Sequence, residues 1–193
     1  INAMENVKNQ ALRDVYQGVN VVAAINADSY NMDVGVNSGI QVREGGIVIS
    51  QPNNGFTTTT PVFFIEGDGT PHIDSLRAIS DITVGENYTH QVSIINRNYY
   101  GSWSTDQQAF DTLRIYTSNL TGDHKMTHYS GTKPEKESYA LIELDNFDGC
   151  IDAGTSYSGK VSAVYNEEGF SIPENCIVLA GYAGDADGVS AMK

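Results

Sequence analysis

Basic residues are scarce in this chain: 11 lysines and arginines stand against 24 aspartates and glutamates, a net charge of -13. That balance repels phosphate backbones and anionic membrane surfaces, so nucleic acid and acidic lipid are disfavoured as partners. Its plain meaning is solubility. Any anionic substrate must meet a local cluster of donors set against the general field. Cysteine is scarcer still, with only Cys150 and Cys176. Two cysteines make no disulfide framework; one bridge in an oxidising compartment and two buried thiols stand as even alternatives. No apolar run approaches the roughly 18 residues that span a bilayer. No signal peptide is visible, and Ile1-Asn2-Ala3-Met4 reads as a cloning remnant, which leaves room for a removed leader. No P-loop, dinucleotide fingerprint or Gly-x-Ser-x-Gly elbow occurs.

The composition is globular. Hydrophobic residues make up 40% and charged residues 18% of 193 positions, which separates the chain from disordered sequences. The length fits one domain, and a chain of this size buries roughly 70% of its unfolded surface. The 19 glycines and 11 tyrosines, set among short apolar runs, favour β structure.

Residues 5–17 carry Val7, Ala11, Leu12 and Val15 at helical spacing, with Gly18 as the stop. The run VNVVAAI, residues 19–25, predicts a strand buried on both faces. The loop-like NADSYNMDVGVNSG follows it. Ile40–Val42 and Ile47–Ile49 flank Glu44-Gly45-Gly46 as a hairpin, and Pro52-Asn53-Asn54-Gly55 reads as a turn. Val62–Ile65 returns through His72-Ile73 around Glu66-Gly67-Asp68-Gly69 as a second hairpin. Further strands are expected at 91–95, 112–117, 139–144, 160–165 and 176–180, with a polar, mobile loop at 128–138. The class is α+β: a β-dominated mixed sheet with one clear N-terminal helix and several hairpins.

VVAAINADSYN, residues 21–31, resembles the signature of the phosphodiester glycosidase family, the family of the lysosomal uncovering enzyme. SGIQVREGGIVI (38–49) resembles its next element and PVFFIEGDGTPHI (61–73) the hairpin after that. Ile95-Asn96-Arg97 with LRIYT (113–117) fits the following pattern of bacterial members, and YSGKVSAVYNEEGFSIPENCIVLAGYAG (157–184) the one after. The likeness covers about residues 7–188, and it rests on the co-linear order of five individually weak motifs. Ser29 and Tyr30 stand where many members carry Gly or Phe, and Val34-Gly35 and Asn37 replace the usual Thr-Gly and Pro. Members also carry Asp-Gly-Arg and Asn-Leu-Asp-Gly-Gly segments, and neither occurs in residues 1–193. The resemblance therefore implies a single partial domain, secreted or in a bacterial cell envelope. The piece is expected to be inert alone and to self-associate or pair with a complementing chain. The alternative is a non-catalytic β-rich module that binds envelope glycans.

The implied reaction releases a sugar from a sugar-1-phosphodiester. It needs an acid or donors at the leaving oxygen and a base or nucleophile at the sugar carbon. Asp28, just past the expected strand, is the catalytic candidate; its plainer role is an Asx-turn or a helix cap. Asn26 suits a sugar hydroxyl or phosphate oxygen, or else the loop backbone. Tyr30 suits stacking on a sugar or plain packing, and Asn31 is a weaker amide candidate. Arg97, flanked by Asn96 and Asn98, suits a bidentate phosphate contact, though surface arginine is the default. No cofactor is expected. His124 and His128 are four apart but lie in poor helix sequence. The acidic turns 145–149 and 184–188 lack the closing Glu of a calcium loop and leave room only for adventitious calcium.

Overall fold

Val7–Tyr16 forms the helix α1, close to where the apolar spacing places it. Gly18 ends it at φ +88°, a left-handed conformation that glycine adopts without steric cost. Gly18 N–H donates to Val15 O and Val19 N–H to Asp14 O, both at 3.0 Å, the paired bonds of a Schellman cap. That cap corrects the described part, residues 19–22 and 24, of the strand expected at 19–25. Val19 is spent in closing the helix, residues 19–22 belong to no strand, and Val22 is 90% exposed. The apolar side of α1 also stays outside the core, with Leu12 and Val15 about half exposed.

The structure, a computed structural model, describes residues 7–22, 24, 30–31, 36–37, 39–43, 45–50, 60–76, 78–86, 88–92, 94–97, 113–120, 123–127 and 137–182. Among them β structure dominates, and the class is α+β. β1 (Tyr30–Asn31) pairs antiparallel with β2 (Val36–Asn37). The expected first hairpin is β3 (Gln41–Arg43) and β4 (Gly46–Ile49). Its Gly46 leaves room for Cys150, since a Cβ there would run into Cys150 Sγ. The second hairpin is β5 (Thr60–Ile65) and β6 (Pro71–Leu76). Its turn closes through Gly69 N–H to Glu66 O at 2.9 Å and Thr70 N–H to Asp68 Oδ1 at 2.8 Å. A third hairpin, β7 (Ser80–Val84) with β8 (Tyr88–Val92), is one the sequence pattern leaves unmarked at its first strand. The Pro52–Gly55 turn lies outside the described residues.

The core is built on a five-stranded sheet. Its members are β9 (Ile94–Ile95), β10 (Arg114–Thr117), β11 (Glu137–Leu144), β13 (Gly159–Tyr165) and β14 (Cys176–Tyr182), in the order β13-β11-β14-β10-β9. All pairs are antiparallel except β9 with β10. β14 lies between β10 and β11 and is covered on both faces, which explains its unbroken CIVLAG run. One face packs Ile115, Ala140, Ile142, Ile177 and Leu179 against Ile47, Val92 and Phe147. The other packs Tyr116, Tyr139, Leu141, Val178 and Ala180 against Met126 and Ile172. β12 (Ile151–Asp152) adds an edge to β4. Cys150 and Cys176 are free thiols, which resolves the alternative in favour of no bridge. Of the polar stretch 128–138, residues 137–138 begin β11 rather than a loop, because their partners Tyr182 and Gly181 on β14 take up their backbone; the rest lies outside the described residues.

Candidate functional site

The sheet that holds β4 meets the central sheet at one corner, and Asn96 and Arg97 make that corner. Ser50, just past β4, exchanges bonds with Ile95: Ser50 N–H donates to Ile95 O at 3.0 Å, and Ile95 N–H to Ser50 Oγ at 2.8 Å. Asn96 then turns left-handed at φ +52°, a conformation asparagine tolerates better than most residues. Its side chain does the work of a missing strand. Oδ1 accepts Thr117 N–H at 2.7 Å, while Nδ2 donates to Val48 O and to Thr117 Oγ1, each at 2.9 Å.

The turn at Asn96 aims Arg97 inward. Arg97 is buried, its Nη2 donates to Ser50 O at 3.0 Å and to Gly39 O at 3.3 Å, and its Nε donates to Ser50 O at 3.3 Å. These bonds give the guanidinium a positioning role between two backbone segments. Gly39 is two residues past β2, and two residues of chain span at most about 7 Å. β2 in turn pairs with Tyr30–Asn31. Arg97, Tyr30 and Asn31 are thus tied to one neighbourhood through Gly39. Asn26 and Asp28 lie outside the described residues.

A second polar cluster adjoins this corner, one that the motifs of the sequence do not single out. Tyr116 O–H donates to Arg97 O at 3.4 Å. On the same face of the sheet, Arg114 of β10 forms an ion pair with Glu137 of β11, both side chains fully buried. Tyr139 O–H donates to Glu137 Oε2 at 2.8 Å and lies 3.5 Å from Glu168 Oε1. Burial, then the charge of Glu168, pushes the Tyr139 hydroxyl well above its ordinary pKa of 10.0, so it remains a donor at any physiological pH. A signal for the cluster is present in LRIYT: an arginine inside an apolar strand demands a buried acidic partner.

Among the described residues no three His, Cys, Asp or Glu side chains gather to hold a metal ion. His124 Nδ1 lies 2.8 Å from Ser118 O in a non-helical segment, and His128 is outside the described residues. In the turn 145–149, Asp148 Oδ1 accepts Cys150 N–H at 3.3 Å, a capping role; residues 184–188 are outside the described set. Comparison with family models, with curated proteins and with solved structures finds no match to this chain.

Proposed function

We propose that this chain is part of a phosphodiester glycosidase that hydrolyses sugar-1-phosphodiesters in a secreted or cell-envelope setting. The observation that carries the reading is the hydrogen-bonded tie from Arg97 to Gly39 and Ser50. It joins the Ile95-Asn96-Arg97 element to the ends of the SGIQVREGGIVI element, two of the motifs on which the family likeness rests. In the proposed reaction water adds to the anomeric carbon, and the bond from that carbon to the phosphate oxygen breaks. The phosphate monoester leaves with the electron pair. Asp28 supplies the carboxylate at the reacting carbon. Asn26, Tyr30 and Asn31 contact the sugar or phosphate, and Arg97 positions the Gly39 segment beside them. No cofactor is required. Residues 1–193 contain no Asp-Gly-Arg or Asp-Gly-Gly segment, and the reading includes that these residues alone do not turn over.

The test is hydrolysis of a panel of sugar-1-phosphodiesters by the full-length parent protein, with Asp28→Asn as control. The expected result is release of the sugar, abolished by the substitution. Tight binding of envelope glycans with no turnover of any panel member would instead establish the non-catalytic module. Turnover by the 193-residue chain itself, sensitive to Asp28→Asn, would refute the claim that the piece is inert.

A further inference from the structure

The hairpin of β5 and β6 presents a bare apolar face. Directly paired residues share a side of a ladder. The pairs Phe63 with Ile73, Ile65 with Pro71 and Pro61 with Ser75 therefore stand on one face. All six are exposed, and the three largest are the most unusual: Phe63 is 63%, Ile65 62% and Ile73 77% exposed. The opposite face is different. There Val62, Phe64, His72 and Leu76 are half-buried, and Phe64 stacks on His72 with ring centroids 5.3 Å apart. The half-buried side chains thus lie on one side of the hairpin and Phe63, Ile65 and Ile73 stand exposed on the other. A contiguous exposed apolar patch of this kind marks an interaction surface.

The chemistry around the patch selects its occupant. Between Thr60 and Leu76 the charged residues are Glu66, Asp68 and Asp74, with no lysine or arginine. All three are exposed. Asp74 pairs with Val62 on the opposite face, so Glu66 and Asp68, in the turn beyond Ile65, are the acids that border the patch; they oppose a second copy of this chain, which carries the same turn and a net charge of -13. They oppose an anionic membrane for the same reason. The patch itself offers one hydroxyl, Ser75, and no amide, which is poor equipment for hydrogen-bonding a glycan. Pro61 and Pro71 each remove a backbone donor and blunt the hairpin as a template for strand addition. We infer that the Phe63–Ile65–Ile73 face docks a protein partner whose apolar surface is flanked by lysine or arginine, face to face rather than edge to edge.

The probe is a synthetic peptide of alternating valine and lysine, measured by calorimetry against the 193-residue chain, beside an isosteric peptide with glutamate for lysine. The lysine peptide should bind and the glutamate peptide should not. Phe63→Ser/Ile73→Ser should weaken the lysine peptide at least tenfold, and Glu66→Lys should weaken it while leaving circular dichroism unchanged. Because these side chains are exposed, the variants should fold; a normal melting transition checks this. Equal binding by Phe63→Ser/Ile73→Ser would reduce the interaction to general charge attraction and overturn the proposal. So would a concentration-dependent dimer, or binding to neutral phosphatidylcholine vesicles, that Phe63→Ser/Ile73→Ser abolishes. The first would make the occupant a second copy and the second a membrane.

Discussion

Arg114 of β10 and Glu137 of β11 meet across the central strand β14 as a fully buried ion pair. Arg114 and Tyr139 both stand opposite Ala180 of β14, one from β10 and the other from β11. Glu137 stands opposite Tyr182, so the ion pair runs diagonally across β14.

Breaking this pair from one side should be worse than removing it whole. Arg114→Met leaves a buried carboxylate without its cation, at a cost of about 3–5 kcal/mol. Arg114→Met/Glu137→Leu removes both charges and should cost less than Arg114→Met alone. Urea unfolding of the single and double variants checks this. A double variant that loses as much as the two singles summed would show that the charges are not coupled.

Stability should fall at alkaline pH through Tyr139. Its folded pKa is raised above 10.0, so above that pH the unfolded state releases a proton that the folded state keeps. The contribution is fully present below pH 10 and is lost as pH rises, by up to about 1.4 kcal/mol per pH unit. Cys150 and Cys176 act in the same direction from 9.0, both raised mainly by burial. Thermal melts from pH 8 to 11 should therefore slope downward. Tyr139→Phe should be less stable at pH 8, because Glu137 Oε2 loses a donor, yet its curve above pH 10 should be flatter. A variant curve parallel to the wild type would refute the assignment.

The thiols should be sluggish and unlinked. Burial disfavours the thiolate, which is the reactive form. Modification by a thiol reagent at pH 7 should be slow for Cys150 and slower for Cys176, which is the more buried. A reducing agent should leave the melting temperature unchanged. A drop in melting temperature on reduction would reveal a bridge.

Gly46 and Cys150 should behave as one packing unit. Gly46→Ala drives a methyl into Cys150 Sγ and should cost about 1–3 kcal/mol. In a Cys150→Ala background the same change should cost less, and a double-mutant cycle reads the difference. Equal costs in the two backgrounds would mean that the collision is relieved by backbone movement instead.

Asn96 should be the most sensitive asparagine at the corner of the two sheets. Asn96→Ala leaves Thr117 N–H and Val48 O without their side-chain partners and keeps a Cβ at positive φ. At about 1–3 kcal/mol for each unsatisfied buried group, the loss should exceed that of an ordinary surface asparagine several-fold. Asn96→Gly relieves the backbone strain but not the lost bonds, so it should recover only part. Chemical denaturation of both variants decides the order.

Elements with strong local signals are legible in the amino-acid sequence. The helix, the two glycine-bounded hairpins and the strands near 112–117, 139–144, 160–165 and 176–180 follow from apolar period and turn residues, and each lies close to its expected place. In the run at 19–25 the described residues 19–22 and 24 form no strand, for an identifiable reason. Apolar composition states that a segment can be buried, but not whether a neighbouring strand will take its backbone bonds. Here the helix cap takes Val19 first. The first strand of the β7–β8 hairpin escapes notice because its SDITV sequence mixes polar and apolar residues and lies half exposed, leaving little contrast to read.

The site divides along the same line. Arginine at 97 after an apolar strand is visible as a residue of interest, but its partners, Gly39 and Ser50, lie 58 and 47 positions away in the chain. The Arg114–Glu137–Tyr139 cluster depends on three strands, β10, β14 and β11, meeting in one register. Local order is written in neighbours a few positions apart, because turn and period preferences act over that range. Which arginine holds the backbone and which carboxylate it pairs with is settled when distant strands pair, since a hydrogen bond or buried ion pair exists only where register brings donor and acceptor together.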